Sequence, residues 1–140
     1  MAKTFHVNVV SADRQLFNGE VSMIVATAVG GELGILPGHT PMLAALKPGQ
    51  VRLYLDEDRK EDEVIYVSGG FIEVQPHETL ILADEAKRAE QLDPERVEAA
   101  RRQAEERMKD SSQNKIDHAK AQIELMQAAA QLAAIRRSKK

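Results

Sequence analysis

The chain has no cysteine and no tryptophan, and aromatic residues make up only 4% of its 140 positions. Without cysteine there is no disulfide framework, no thiolate zinc site and no cysteine nucleophile, which is compatible with a reducing compartment. The histidines, His6, His39, His77 and His118, are scattered and form no HExxH pair, so no catalytic metal site is expected. No GxxxxGK[ST] phosphate loop occurs, and Ser11, Ser22 and Ser68 lack the GxSxG setting of an activated nucleophile. No apolar run reaches the roughly 18 to 20 residues of a membrane span. The opening MAKTFHV has neither an apolar core nor an Arg/Ser-rich pattern, so no targeting segment is expected. The scarcity of aromatics and the net charge of −3 argue against nucleic acid as a partner. A chain that is soluble, or peripheral on something else, with no catalytic residues and no metal is the expectation.

An apolar content of 43% supports a real core. Residues 1 to 84 carry 6 Lys/Arg against 12 Asp/Glu, while residues 85 to 140 carry 13 against 10. This split predicts two modules with different electrostatic partners. In the first half, 4 to 12, 21 to 29, 51 to 55, 63 to 76 and 79 to 84 alternate or run in β-branched residues and read as strands. DRQLFNGE, Gly30-Gly31, Pro48-Gly49 and Pro76-His77 read as turns between them, and Asp56 to Glu63 reads as a solvated acidic turn. Gly69-Gly70 inside a strand-like run predicts a bulge or a sheet corner. Short strands at this spacing predict a β-sandwich or flattened barrel over residues 1 to 86.

After that the period changes. Asp93-Pro94 is a helix start, with Asp as cap and Pro at the first helical position. Val97, Ala100, Ala104 and Met108 fall on one face, and Glu98 to Arg102 and Glu105 to Lys109 are spaced as i, i+4 pairs. DSSQN at 110 to 114 breaks the pattern with capping residues. Ile116, Ala119, Ile123, Met126, Ala130 and Ala133 then recur in steps of three and four, which predicts a seam for one partner helix. Residues 87 to 140 therefore read as an antiparallel two-helix hairpin, mainly α after a mainly β domain. Alanine dominates its seam, and burial at about 25 cal/mol per Å² stabilises such a seam little. The seam is compatible with a hairpin that stays docked and with one that opens.

The stretch GGELGILPGHTPML, residues 30 to 43, crowds four glycines and two prolines around Leu33, Ile35, Leu36 and Met42. Taken alone, Glu32 reads as an exposed loop acid and His39 as a turn residue bonded locally. The adjacent apolar group on a glycine-rich rim suggests a binding patch. An enzyme pocket here would need an acid, base or nucleophile constellation, and none is visible.

Four blocks make the chain recognisable: VVSADRQLFNGEV at 9 to 21, GELGILPGHTPMLAALKPGQVR at 31 to 52, YVSGGFIEVQPHETLILAD at 66 to 84 and LDPERVEAARRQAEER at 92 to 107. The chain resembles, end to end, the epsilon-subunit family of bacterial rotary F-type ATP synthases. The resemblance implies an N-terminal β-sandwich, a C-terminal helical hairpin and a noncatalytic place in the central stalk. It implies that Glu32, Leu33 and Gly34 touch the polar loops of the c-subunit ring, and that His39, Thr40 and Met42 lie near the gamma subunit. It implies that the hairpin restrains ATP hydrolysis by extending towards the alpha and beta subunits. Arg101, Arg102, Arg107, Lys115, Lys120, Arg136 and Arg137 would then meet an acidic region there. It places the chain peripherally, on the cytoplasmic face of the bacterial plasma membrane. No cofactor is required. A weak regulatory ATP site is the alternative: in a family motif of the form [IL]DxxRA, Leu92, Asp93 and Arg96 match. Val97 replaces the final Ala, and Gln103 stands where a later Arg is expected, with Arg102 adjacent.

Overall fold

The computed structural model describes residues 3–55, 63–110 and 114–138. The strands are β1 (Phe5–Val10), β2 (Gln15–Val21), β3 (Met23–Ala28), β4 (Gly31–Ile35), β5 (Met42–Tyr54), β6 (Glu63–Val67), β7 (Gly70–Val74), β8 (Glu78–Ala83) and β9 (Ala86–Arg88). A 3-10 turn, Ala89–Gln91, leads to helices α1 (Pro94–Asp110) and α2 (Lys115–Ser138). Apart from Glu63, which opens β6, the acidic turn expected at Asp56 to Glu63 lies outside the described residues. So do residues 111–113 of the expected helix break. The domain boundary expected after residue 86 falls inside β9, which pairs with β6.

The strands run in the order β2-β1-β8-β7-β5-β3-β4, with β6 on β5 and β9 on β6. The long strand β5 serves two neighbours in turn: Met42 to Leu46 pair with β7, and Gly49 to Leu53 pair with β6. Pro48 sits at this change of partner, where a missing N–H breaks no ladder bond. The sequence reading of Pro48-Gly49 as a turn between strands is therefore corrected to a bend within one strand. Gly49 is required there, because a Cβ would come within 2.5 Å of the Thr27 side chain.

Two further segments read as turns are strands. β2 was hidden by its polar content, yet it buries Leu16 and Val21 while pairing with β1 at the end of the sheet order. An edge strand tolerates polar residues and a glycine. β4 was hidden by glycines, and its Ile35 side chain lies in the core. Gly69-Gly70 forms the corner between β6 and β7, with φ of +136° and +132°. A Cβ on Gly70 would fall 2.0 Å from the Leu82 carbonyl oxygen. The core takes alternate residues from each strand, among them Val7 and Val9, Val51 and Leu53, and Ile72 and Val74.

The hairpin follows its caps. The Asp93 carboxylate accepts the Glu95 N–H at 3.0 Å, and Asn114 Oδ1 accepts the N–H groups of Ile116 and Asp117 at 3.1 and 3.2 Å. α1 buries Val97 and Ala104 as its period predicts, but Ala100 is exposed. α2 departs from its predicted seam. It buries Ala121, Ala128, Ala134 and Ile135, whereas Ile116, Ile123 and Met126 are 69%, 53% and 46% exposed. Ala119 is also exposed, and Ala130 and Ala133 are half-buried. Apolar residues surround the C-terminal half of α2, so their spacing did not select one face. The helix also packs against two partners, α1 and the β5–β6 surface, rather than along one seam.

Candidate functional site

Much of the glycine-rich stretch at 30 to 43 is structural. Ile35 is buried, and Leu33 and Met42 pack half-buried on the core, so the apolar patch expected there reduces to the exposed Leu36. Gly38, at φ +82°, donates its N–H to the Pro76 carbonyl at 2.8 Å and ties the loop to the β7–β8 connection. His39 donates to its neighbour: Nδ1 lies 2.7 Å from the Thr40 carbonyl oxygen. Gly34 and Thr40 are exposed. Glu32 is engaged from one side, because the Arg52 guanidinium reaches both its carboxylate oxygens at 2.8 and 3.0 Å.

A larger apolar surface lies where the sequence reading placed none. Residues directly opposite in a ladder point to the same side of the sheet. Ala45, Phe71, Leu82 and Val10 are opposed in succession across β5, β7, β8 and β1, on the side away from the core. Leu43 lies one step along β5 on the same side, and Val29 is bonded to Ala45 through its backbone N–H at 2.9 Å. Val29, Leu43, Phe71 and Leu82 are each more than half exposed. The signal was present in FIEV and TLIL, where apolar residues occupy both parities of a strand. A strand with one solvated face alternates apolar and polar residues, and these two do not. Beyond this row the face turns acidic. Glu73 and Glu78 line a shallow hollow of about 260 Å³ with His6, whose Nδ1 lies 3.1 Å from Glu20.

The opposite face of the sandwich seats the hairpin. Val64 and Tyr66 of β6 form a second buried cluster with Ala89, Leu92, Val97, Ala128, Ala134 and Ile135. Burial, reinforced by the nearby Glu85 charge, pushes the Tyr66 phenol up to about 12 against the opposing hydrogen bond with Gln131. Gln50, directly across from Tyr66, has a buried amide oxygen without a hydrogen-bond partner.

The residues of the expected ATP motif are separated by role. Leu92 is buried in this seat, Asp93 caps α1 and Arg96 is exposed. A cleft of about 470 Å³ between the helices is lined instead by Arg107, Asp110, Asn114, Asp117, Lys120, Ala121 and Glu124. The basic residues do not form one face. Arg101 pairs with Glu98 and Glu105, and Arg107 reaches across to Glu124 on α2. The hydrogen bond from Arg101 holds the Glu98 carboxyl below its ordinary range. The expected Glu98–Arg102 pair is longer, at 3.9 Å. Arg102, Lys115, Lys120 and Arg136 are exposed, and Arg137 is half-buried. Among the described residues no group of three or more His, Asp or Glu side chains is placed to hold a metal ion.

This division into sandwich and hairpin coincides with two family models. Residues 4–89 match the ATP synthase delta/epsilon chain beta-sandwich domain, and residues 90–136 match the long alpha-helix domain. The chain belongs to the ATP synthase epsilon-chain family. The epsilon chain of Dichelobacter nodosus is 54% identical over 142 aligned positions, covering 98% of each chain. That of Nitrosococcus oceani is 49% identical over 140, covering all of this chain and 98% of the relative. Among solved structures, a chain of the Euglena gracilis mitochondrial ATP synthase, in an OSCP/F1/c-ring assembly, superposes with a TM-score of 0.82. It is 25% identical, and the match covers 94% of this chain and 81% of that one. No helix among the described residues is long and apolar enough to cross a membrane.

Proposed function

We propose that this epsilon-family chain is a noncatalytic central-stalk subunit that links gamma to the c-ring and restrains ATP hydrolysis through its C-terminal helices. The observation that carries the reading is the exposed apolar row of Val29, Leu43, Phe71 and Leu82. Leu43 follows Met42 in β5 on the opposite side of the sheet, close in sequence to His39 and Thr40, and these with Met42 are the positions that the family resemblance assigns to the gamma contact. A face of that size, with an acidic margin at Glu73 and Glu78, suits a permanent partner with an apolar surface and basic flanks. Glu32, Leu33 and Gly34, in the β4 hairpin, take the ring contact. In the assembly the subunit sits peripherally on the cytoplasmic face of a bacterial plasma membrane.

The hairpin supplies the restraint on the alpha and beta subunits. Its α2 side enters the seat with Ala128, Ala134 and Ile135, and α2 also exposes Ile116, Ile123 and Met126 with Lys115, Lys120 and Arg136. The test is ATP hydrolysis by a catalytic sector depleted of this subunit and titrated with the whole chain or with a chain ending at Gln91. Inhibition by the whole chain alone supports the reading. Binding of both without inhibition reduces the subunit to a coupler of stalk and ring. The second reading, ATP as a conformational ligand of the hairpin, rests on Leu92, Asp93 and Arg96 at the start of α1. Equilibrium dialysis at millimolar ATP, with and without Mg²⁺, tests it, and an absence of bound nucleotide removes it.

A further inference from the structure

The hairpin follows β9, and β9 is held to the sandwich along both edges. On one edge it pairs with β6, Ala86 opposite Val67 and Arg88 opposite Ile65. On the other it lies beside β2 with no ladder between them. Two arginines bridge that gap in opposite directions. Arg14, which precedes β2, donates from Nη2 to the Ala86 carbonyl at 3.4 Å, and Arg88 donates from Nη2 to the Leu16 carbonyl. Arg88 Nε also lies 3.9 Å from the Glu63 carboxylate at the start of β6. The first and last residues of β9 are therefore both tied to the β2 side, by bonds whose donors are charged. None of these partners belongs to the hairpin.

One residue later the partners change. Ala89 and Leu92 are buried with Ala128, Ala134 and Ile135 in the hairpin seat. The turn between them is closed by one backbone bond, from the Leu92 N–H to the Ala89 carbonyl at 3.1 Å. Arg88 and Leu92, on either side of the turn, are extended, with ψ of 137° and 135°, and no side chain caps its start. A few element-terminal residues of this kind absorb the backbone rotation when one body swings on another.

We infer that Arg14 and Arg88 act as a clasp that fixes the root of the hairpin, so that the helices leave their seat by turning between Arg88 and Asp93 while β9 stays on the sandwich. Arg88 is thereby a positioning residue for the restraint on hydrolysis, because it fixes the point from which the helices reach the alpha and beta subunits. The inference rests on the reading that the hairpin acts on those subunits by leaving its seat.

The test uses the full chain in two measurements: its amide hydrogen exchange, and its inhibition of ATP hydrolysis by a catalytic sector depleted of this subunit. The natural sequence is compared with Arg14→Met, Arg88→Met, Arg88→Lys and Ala134→Leu. In both methionine variants exchange in β9 accelerates roughly tenfold, the scale of losing a hydrogen bond with a charged donor. Exchange in β1, β7 and β8 does not change. Arg88→Met binds the complex at the same concentration as the natural chain, but its maximal inhibition falls. Arg88→Lys, which keeps a charged donor, recovers most of that inhibition. In Ala134→Leu, which loosens the seat, exchange rises in α2 and at Leu92 but not in β9. Unchanged β9 exchange in both methionine variants overturns the clasp, as does acceleration throughout the sandwich. Faster β9 exchange with undiminished inhibition overturns the positioning role, and β9 exchange that rises with α2 in Ala134→Leu overturns the pivot. If the natural chain does not inhibit, the proposed restraint fails, and exchange in β9 still decides the clasp.

Discussion

The sandwich and the hairpin are held by different means. The sandwich core interlocks Val, Ile, Leu and Phe side chains from strands distant in sequence, with Val7, Ile72 and Ile81 fully buried. The hairpin seat has alanines on the α2 side, relieved mainly by Ile135, against Val64 and Tyr66. It also encloses an unpartnered amide oxygen on Gln50. Each alanine removes less area from water than a branched side chain, and an unpaired buried acceptor opposes docking. The lesson is a hierarchy: the same chain joins a densely interlocked platform to an attachment with a smaller apolar seat.

The strongest way to break that comparison is Ile72→Ala. At a fully buried site it should cost about 2–5 kcal/mol and lower the denaturant midpoint of sandwich and hairpin together. Ala134→Leu should separate them. Ala134 is fully buried in the seat, so the extra carbons should loosen docking by about 1–3 kcal/mol. Exchange should then rise in α2 while the strands stay protected. If the strands lose protection equally, the two parts are one cooperative unit and the hierarchy is wrong. Asp93→Ala removes the α1 cap and should cost about 1 kcal/mol of helix stability. The far-ultraviolet helix signal on heating should record it, with the strand signal unaffected.

The smallest effect at neutral pH belongs to Tyr66, where the neutral phenol is favoured in the docked state. Its pKa is raised from 10.0 to about 12. The neutral phenol's contribution is therefore complete below pH 10 and is lost as pH rises towards 12. Phenolate absorbance should show this tyrosine titrating late, and Ala134→Leu should bring its transition back towards the ordinary value. A transition near 10 in the natural chain would mean that the seat does not enclose the phenol.

Strands with strict alternation were legible because one parity is apolar, as in Phe5, Val7 and Val9. β2 and β4 were not, since an edge position and close packing with neighbours allow polar residues and glycines that read as turns. The loop at 30 to 43 was legible as special, but the disposal of its apolar residues was not: Ile35 goes inward, and the exposed row assembles from Phe71, Leu82 and Leu43 on separate strands. In α2 the helix was evident and its orientation was not.

What the sequence determined by itself is therefore local and periodic. It set the β-to-α change near residue 90, the caps at Asp93 and Asn114, and the glycine corner at 69 and 70. Backbone sterics and short-range hydrogen bonds act within a few residues and leave their mark in residue type. Only the tertiary structure decided which face of α2 is buried, which strands place Phe71 beside Leu82, and that Arg52 reaches Glu32. Those outcomes depend on ladder register and on packing between segments far apart in the chain, where many spacings are locally equivalent and the total burial selects one.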